Sequence, residues 1–103
     1  MSEKIYETIG DKLNKSDGAE KSQMFGKPCL KIGSKAFSCL YDGDMVFKIG
    51  KDEVDKLKSK FPGSVNFDPS GKNRPMKDWL QVPADYCKDW ENLAKKVMEF
   101  VET

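Results

Sequence analysis

The chain contains no histidine. That absence removes Ser-His-Asp and Cys-His nucleophilic catalysis and the common zinc sites. Cysteine is also scarce. Cys29, Cys39 and Cys87 are an odd number without C-x-x-C spacing. That argues against a secreted disulfide framework and against a thiolate metal site, and leaves them as small reduced core residues. No apolar run is long enough to cross a bilayer. The opening MSEKIYETIGDKLNK lacks the apolar centre of a signal peptide, so a cytoplasmic location without a membrane partner is expected. Charge of one sign is not in excess either. Lys and Arg total 18 against 17 Asp and Glu, a net charge of +1. This balance gives no general pull toward nucleic acid.

What is present fits one ordinary domain. At 103 residues the chain is long enough for a single small core, so residues 1–103 are expected to form one unit. Ile5, Ile9 and Leu13 recur at helical spacing over residues 3–15, with Ser2 as the expected N-cap and Ser16-Asp17-Gly18 as the stop. Residues 19–23 are polar and read as a linking loop. The segment MFGKPCLKIGSKAFSCLYDGDMVFKIG then holds two hairpin signals, Gly33-Ser34 and Asp42-Gly43. Two-residue turns there pair Ile32 with Lys35, Leu30 with Phe37, Tyr41 with Asp44 and Cys39 with Val46. Strict alternation puts Leu30, Ile32, Phe37, Cys39, Tyr41 and Val46 on one face. The other face takes Cys29, Ala36, Ser38, Leu40, Met45, Phe47 and Ile49. A one-residue slip would mix these sets.

A second helix is expected over 51–61, with Asp52 as N-cap and Val54, Leu57 and Phe61 on one side. Val65 and Phe67 alternate in a short strand, followed by a turn over 68–71. Met76, Leu80 and Val82 lie on one side of a further extended segment. The last helix is expected over 89–101, capped by Asp89 and carrying a stripe of Trp90, Leu93, Ala94, Val97 and Val101, with an extra turn at 84–88. The fold class is therefore α+β: a predominantly antiparallel sheet built on a three-stranded meander, with helices at the N-terminus, middle and C-terminus. Phe37, Phe47, Leu57, Leu93 and Val97 are the expected core.

No catalytic constellation emerges. SGKNRPMK fails the phosphate-loop pattern, because Lys72 is followed by Asn73 and no glycine stands five residues before Gly71. Asp42 belongs to a turn and Asp52 to a helix start, where short acceptors are wanted structurally. Neither a cofactor nor a metal is expected. The residues that stand out suit binding. Leu30, Phe37, Tyr41, Lys35 and Lys48 lie on the meander. Lys72, Arg74, Lys77 and Trp79 form a basic rim with an aromatic anchor of hot-spot type. A protein partner or self-association is the leading expectation. One alternative is nucleic-acid binding, with sheet aromatics stacking bases between lysines. Another is a small-molecule or enzymatic role in a cleft between sheet and last helix.

The order of these motifs resembles the N-terminal domain of the TfoX (Sxy) family. The matching residues are Met24, Phe25, Gly26, Gly33, Phe37, Asp42, Gly43, Arg74, Pro75, Met76, Trp79 and Val82. The likeness runs from about Met24 to Val101. It implies the α+β fold and a non-enzymatic accessory role. Family members include regulators of bacterial competence thought to act with the cyclic-AMP receptor protein at promoters. Those regulators carry a second, C-terminal helix-hairpin domain, and none is expected within residues 1–103. The family brings no catalytic residues to transfer.

Overall fold

Helix α1 (Ser2–Asp17) opens the computed structural model, which describes residues 2–24, 26–68 and 76–102. Ser2 is the first helical residue instead of a cap before it. Tyr6, Ile9 and Leu13 are buried and Ile5 is half-buried, so one stripe of the helix faces the core. Gly10 costs helical propensity, but it lets α1 approach the sheet closely. A Cβ there would lie 3.2 Å from Leu30 Cδ2 and 3.4 Å from Lys21 Cε. The helix closes where the Ala19 amide donates to the Leu13 carbonyl at 3.2 Å.

A six-stranded antiparallel sheet follows: β1 (Glu20–Met24), β2 (Lys27–Ile32), β3 (Lys35–Tyr41), β4 (Asp44–Lys48), β5 (Val65–Phe67) and β6 (Met76–Val82). Its order is β1-β2-β3-β4-β6-β5. Strand β1 corrects the expected linking loop over 19–23. EKSQM pairs along its whole length with β2, from Glu20 opposite Lys31 to Met24 opposite Lys27. As an edge strand it has one neighbour, and Glu20 to Gln23 are all polar, so no apolar alternation marks it. Both hairpin turns form as expected. Gly33 and Ser34 have φ of 54° and 67°, Asp42 and Gly43 of 52° and 82°. Two successive positive φ values define the type I′ turn, whose twist suits two-residue hairpins.

The β3–β4 register is the expected one, including Tyr41 opposite Asp44 and Cys39 opposite Val46. The β2–β3 register begins as expected with Ile32 opposite Lys35, then shifts between Leu30 and Lys31. Leu30 faces Ser38 and Cys29 faces Cys39, so Phe37 is the extra residue of a β-bulge. The slip comes from inside the strand, not from a turn, and it re-sorts the faces. Leu30, Ile32, Phe37, Leu40, Met45, Phe47 and Ile49 join the core beneath the helices. Cys29, Ala36, Cys39, Tyr41 and Val46 lie on the opposite face. The core face also holds a hydroxyl. Ser38 Oγ is buried and donates to the Val46 carbonyl at 2.7 Å, which satisfies it.

Helix α2 (Lys51–Lys60) starts from Gly50, whose carbonyl accepts the first helical hydrogen bond, from the Val54 amide at 3.0 Å. Asp52 is therefore not the cap. It lies in the first turn, where its charge suits the helix dipole. Gly50 has φ 90° and ψ 147°, a region essentially reserved for glycine. The Phe100 ring packs against it, 2.9 Å from where a Cβ would sit. Val54, Leu57 and Phe61 are buried as expected.

Leu80 and Val82 face the helices, but Met76 packs on the other side of the sheet. The break coincides with an irregular β5–β6 ladder, where Asn66 faces Leu80 and Phe67 faces Met76. Asn66 Nδ2 spans the gap toward the carbonyls of Met76 and Lys77 at 3.4 and 3.3 Å. Most of the turn expected over 68–71 lies outside the described residues, as do Phe25, Arg74 and Pro75 of the resemblance. A 3-10 helix (Ala84–Asp89) fills the expected extra turn, and α3 (Trp90–Glu102) follows with Asp89 ahead of it. Trp90, Leu93, Ala94, Val97, Met98 and Val101 are buried against β2, β3 and β4. The five expected core residues, Phe37, Phe47, Leu57, Leu93 and Val97, are all buried. All three helices thus share one face of the sheet.

Candidate interaction face

The face without helices has a small apolar centre. Cys29 and Cys39 are direct cross-strand partners, with Val46 opposite Cys39 on the next strand. Three aromatics roof this centre. Phe67 meets Tyr41 edge-on at 5.1 Å between centroids and Trp79 at 6.1 Å. Phe67 and Trp79 are nevertheless buried, at 1% and 6% exposure, so Tyr41 is the ring of the three with substantial open surface. Lys27 Nζ sits 5.8 Å from the Tyr41 centroid, a cation–π contact.

Register places further lysines on this side. Lys31 lies opposite Ala36, and Lys48 lies opposite Trp79. Among the described residues none of Lys27, Lys31 and Lys48 forms an ion pair, whereas Lys12, Lys21, Lys56, Lys95 and Lys96 all do. Each of those pairs has a helix residue on at least one end. Lys96 to Glu53, at 3.1 Å, ties α3 to α2, and Lys12 to Glu91, also 3.1 Å, ties α1 to α3. Hydrogen bonds from these lysines hold both carboxyls below the usual Glu range.

The chemistry available on the helix-free face is limited. Burial pushes the Cys39 thiol up to about 12, with neighbouring Cys29 adding to the rise. Burial raises the Cys29 thiol too. Both are thus neutral thiols near neutral pH, and the thiolate is the nucleophilic form. Asp44 is committed structurally. It accepts from Gln81 Nε2 at 2.9 Å and from the Ala84 amide at 3.1 Å, anchoring the entry to the 3-10 helix. Among the described residues no three His, Cys, Asp or Glu side chains converge as metal ligands. No helix there is long and apolar enough to cross a membrane.

The expected surface is only partly assembled. Leu30 and Phe37 have no exposed area and belong to the core under the helices, because the bulge turns both inward. They present nothing to a partner. Trp79 is a packing residue of the opposite cluster instead of an exposed anchor. Tyr41 and Lys48 are half-exposed on the helix-free face, and Lys35 and Lys77 are exposed. Lys72 and Arg74 lie outside the described residues. Lys27 and Lys31 share the face with Lys48 without having been expected as site residues. Each stands two residues from Cys29 and so on its face, and that spacing carries the signal once the bulge is known.

Comparison with protein-family models, curated proteins and solved structures finds no match to this chain. The face must therefore be read from its own chemistry. It offers a rigid sheet, one accessible ring and unpaired ammonium groups, with no poised nucleophile.

Proposed function

We propose that this chain is a non-enzymatic binding domain of the TfoX N-terminal kind, which docks an acidic protein surface on the helix-free face of its sheet. The observation that carries this reading is a set of unpaired lysines on the same face as an accessible tyrosine. Lys27, beside Tyr41, and Lys31 and Lys48, further along that face, have no ion pair among the described residues, whereas Lys12, Lys21, Lys56, Lys95 and Lys96 do. Unpaired basic groups spread over one face with a semi-exposed tyrosine favour electrostatic docking, and the ring supplies an anchor. The resemblance adds a cytoplasmic role as a transcriptional accessory factor, with competence regulation as its narrowest form.

The test is comparative affinity capture from native extract. Wild type, a face-reversed variant (Lys27→Glu, Lys31→Glu, Lys48→Glu) and a helix-side control (Lys95→Glu) are used as baits, with captured proteins quantified by mass spectrometry. A specific acidic partner should be lost with the reversed face and retained with the control. Identical captures from all three would defeat the proposal.

The same unpaired lysines favour a second reading, direct nucleic-acid binding. Against it stands the burial of Phe37, Phe47, Phe67 and Trp79, which leaves Tyr41 nearly alone to stack a base. Fluorescence anisotropy with random oligonucleotides separates the two. Sub-micromolar binding at physiological salt, steeply salt-dependent and abolished by the reversed face, would install the nucleic-acid reading instead.

A further inference from the structure

A second concavity lies away from this face, between α1 and the segment that leads into α3. It is an open groove of about 510 Å³, a size typical of small-molecule sites. Its apolar lining comes from Ile5 and Ile9 of α1 and from Cys87 of the 3-10 helix. These are an aliphatic surface and a thiol, with no aromatic ring among them, so the surface suits a flexible alkyl chain better than a flat heterocycle. Its ionic rim is Lys4, Lys88 and Glu91. Glu91 is already bound by Lys12 at 3.1 Å and by Lys95 at 3.6 Å. Lys4 and Lys88 are exposed and have no ion pair among the described residues. The rim therefore carries two uncompensated positive charges over an aliphatic floor.

We propose that this groove binds a free medium-chain aliphatic carboxylate, its alkyl chain along Ile5, Ile9 and Cys87 and its head group between Lys4 and Lys88. A neutral chain would leave the two ammonium groups without a counter-charge, and a cationic one would be repelled. Glu91, held by its own lysines, lends the carboxylate no competing acceptor that needs displacement.

Cys87 provides a direct readout. It is the half-exposed thiol, while Cys29 and Cys39 are buried, so alkylation by iodoacetamide should start at Cys87. The rate at each cysteine is followed by peptide mass spectrometry while decanoate is titrated below its micelle concentration. Decanoate should slow Cys87 alkylation several-fold and saturably. Acetate, decanol and decyltrimethylammonium should protect weakly or not at all. The Lys4→Glu, Lys88→Glu variant should lose the protection while keeping its circular-dichroism spectrum and melting temperature. Unchanged alkylation with decanoate overturns the proposal. So does equal protection by decyltrimethylammonium, which would make the groove a charge-blind hydrophobic surface, or by acetate, which would make the effect one of charge without a groove. If the double variant is misfolded, the single reversals Lys4→Glu and Lys88→Glu replace it, and undiminished protection in both overturns the assignment of the head group.

Discussion

The two faces of the sheet are built to different purposes from the same strands. Among the described residues the helix side holds a continuous core of twenty-one buried residues, and the other side a cluster of five. That ratio puts most of the folding free energy under the helices, since stabilisation scales with apolar area removed from water. Among the described residues Lys12, Lys56, Lys95 and Lys96 fasten parts of the helix side by pairing with Glu91 and Glu53, while Lys4 and Lys88 there, and Lys27, Lys31 and Lys48 on the far side, have no ion pair. A side that contributes less to stability is freer to keep charged groups exposed. The comparison teaches that surface chemistry and core chemistry are separated by one sheet thickness, through alternation along each strand.

The sharpest way to break that comparison is to remove a large side chain under the helices. Phe47→Ala should cost about 3–5 kcal/mol in denaturant melts, enough to unfold much of a marginal domain. A loss well below ~1 kcal/mol would mean that the helix side is not the dominant core. A backbone change on the same side comes next. Gly50→Ala forces a Cβ into φ 90° and against Phe100, and should cost on the order of 1–3 kcal/mol. Pairing it with Phe100→Ala separates the two causes, because only the ring contact is relieved by the second change.

On the far side the expected effects are smaller. Cys39→Ala removes one buried group and should cost about 1 kcal/mol at neutral pH, on the scale of a single deleted methyl. Its pH dependence carries a sign. The Cys39 pKa is raised in the folded state, from a reference of 9.0 to about 12. The stabilising contribution of the protonated thiol is therefore fully present below about 9 and lost as pH rises toward about 12. The deficit of Cys39→Ala relative to wild type should shrink over that window, as read from melts at stepped alkaline pH. A constant deficit would show a thiol that ionises equally in both states. Smallest of all, Lys27→Glu and Lys48→Glu should each change stability by no more than about 0.5 kcal/mol. A larger loss would make these lysines structural and remove the basis for reading them as a contact surface.

Much of this architecture can be read from the residues alone. Asp42-Gly43 and Gly33-Ser34 dictate type I′ turns because few residues tolerate two positive φ values in succession. The Trp90 to Val101 stripe declares its helix by spacing. Three features resist such reading for physical reasons. EKSQM is an edge strand defined by backbone pairing, so its side chains need no apolar pattern. The start of α2 depends on Gly50 backbone geometry, which the nearby Asp52 disguises as a side-chain cap. The Phe37 bulge is a tertiary choice: Phe37 gains burial under α3 at the cost of regular alternation, and no local residue signals it. The candidate site suffers most from that last omission. Leu30 and Phe37 were expected on one face with Tyr41, and the bulge sends them to the other.

That bulge also leaves one residue of β3 outside the pairing between two blocks of the sheet. On one side stand β1 and β2, on the other β3, β4, β6 and β5. A deletion of Phe37 would close the ladder into regular alternation with the pairing on either side intact: Leu30 opposite Ser38, Lys31 opposite Ala36. No residue of β1 or β2 would change faces. The loss would instead be a ring-sized space under the helices, where Phe37 is fully buried. Lineages carrying this architecture should thus be able to shorten β3 by one residue with β2 unchanged in length, provided that a larger side chain on the helix side fills the space the ring leaves.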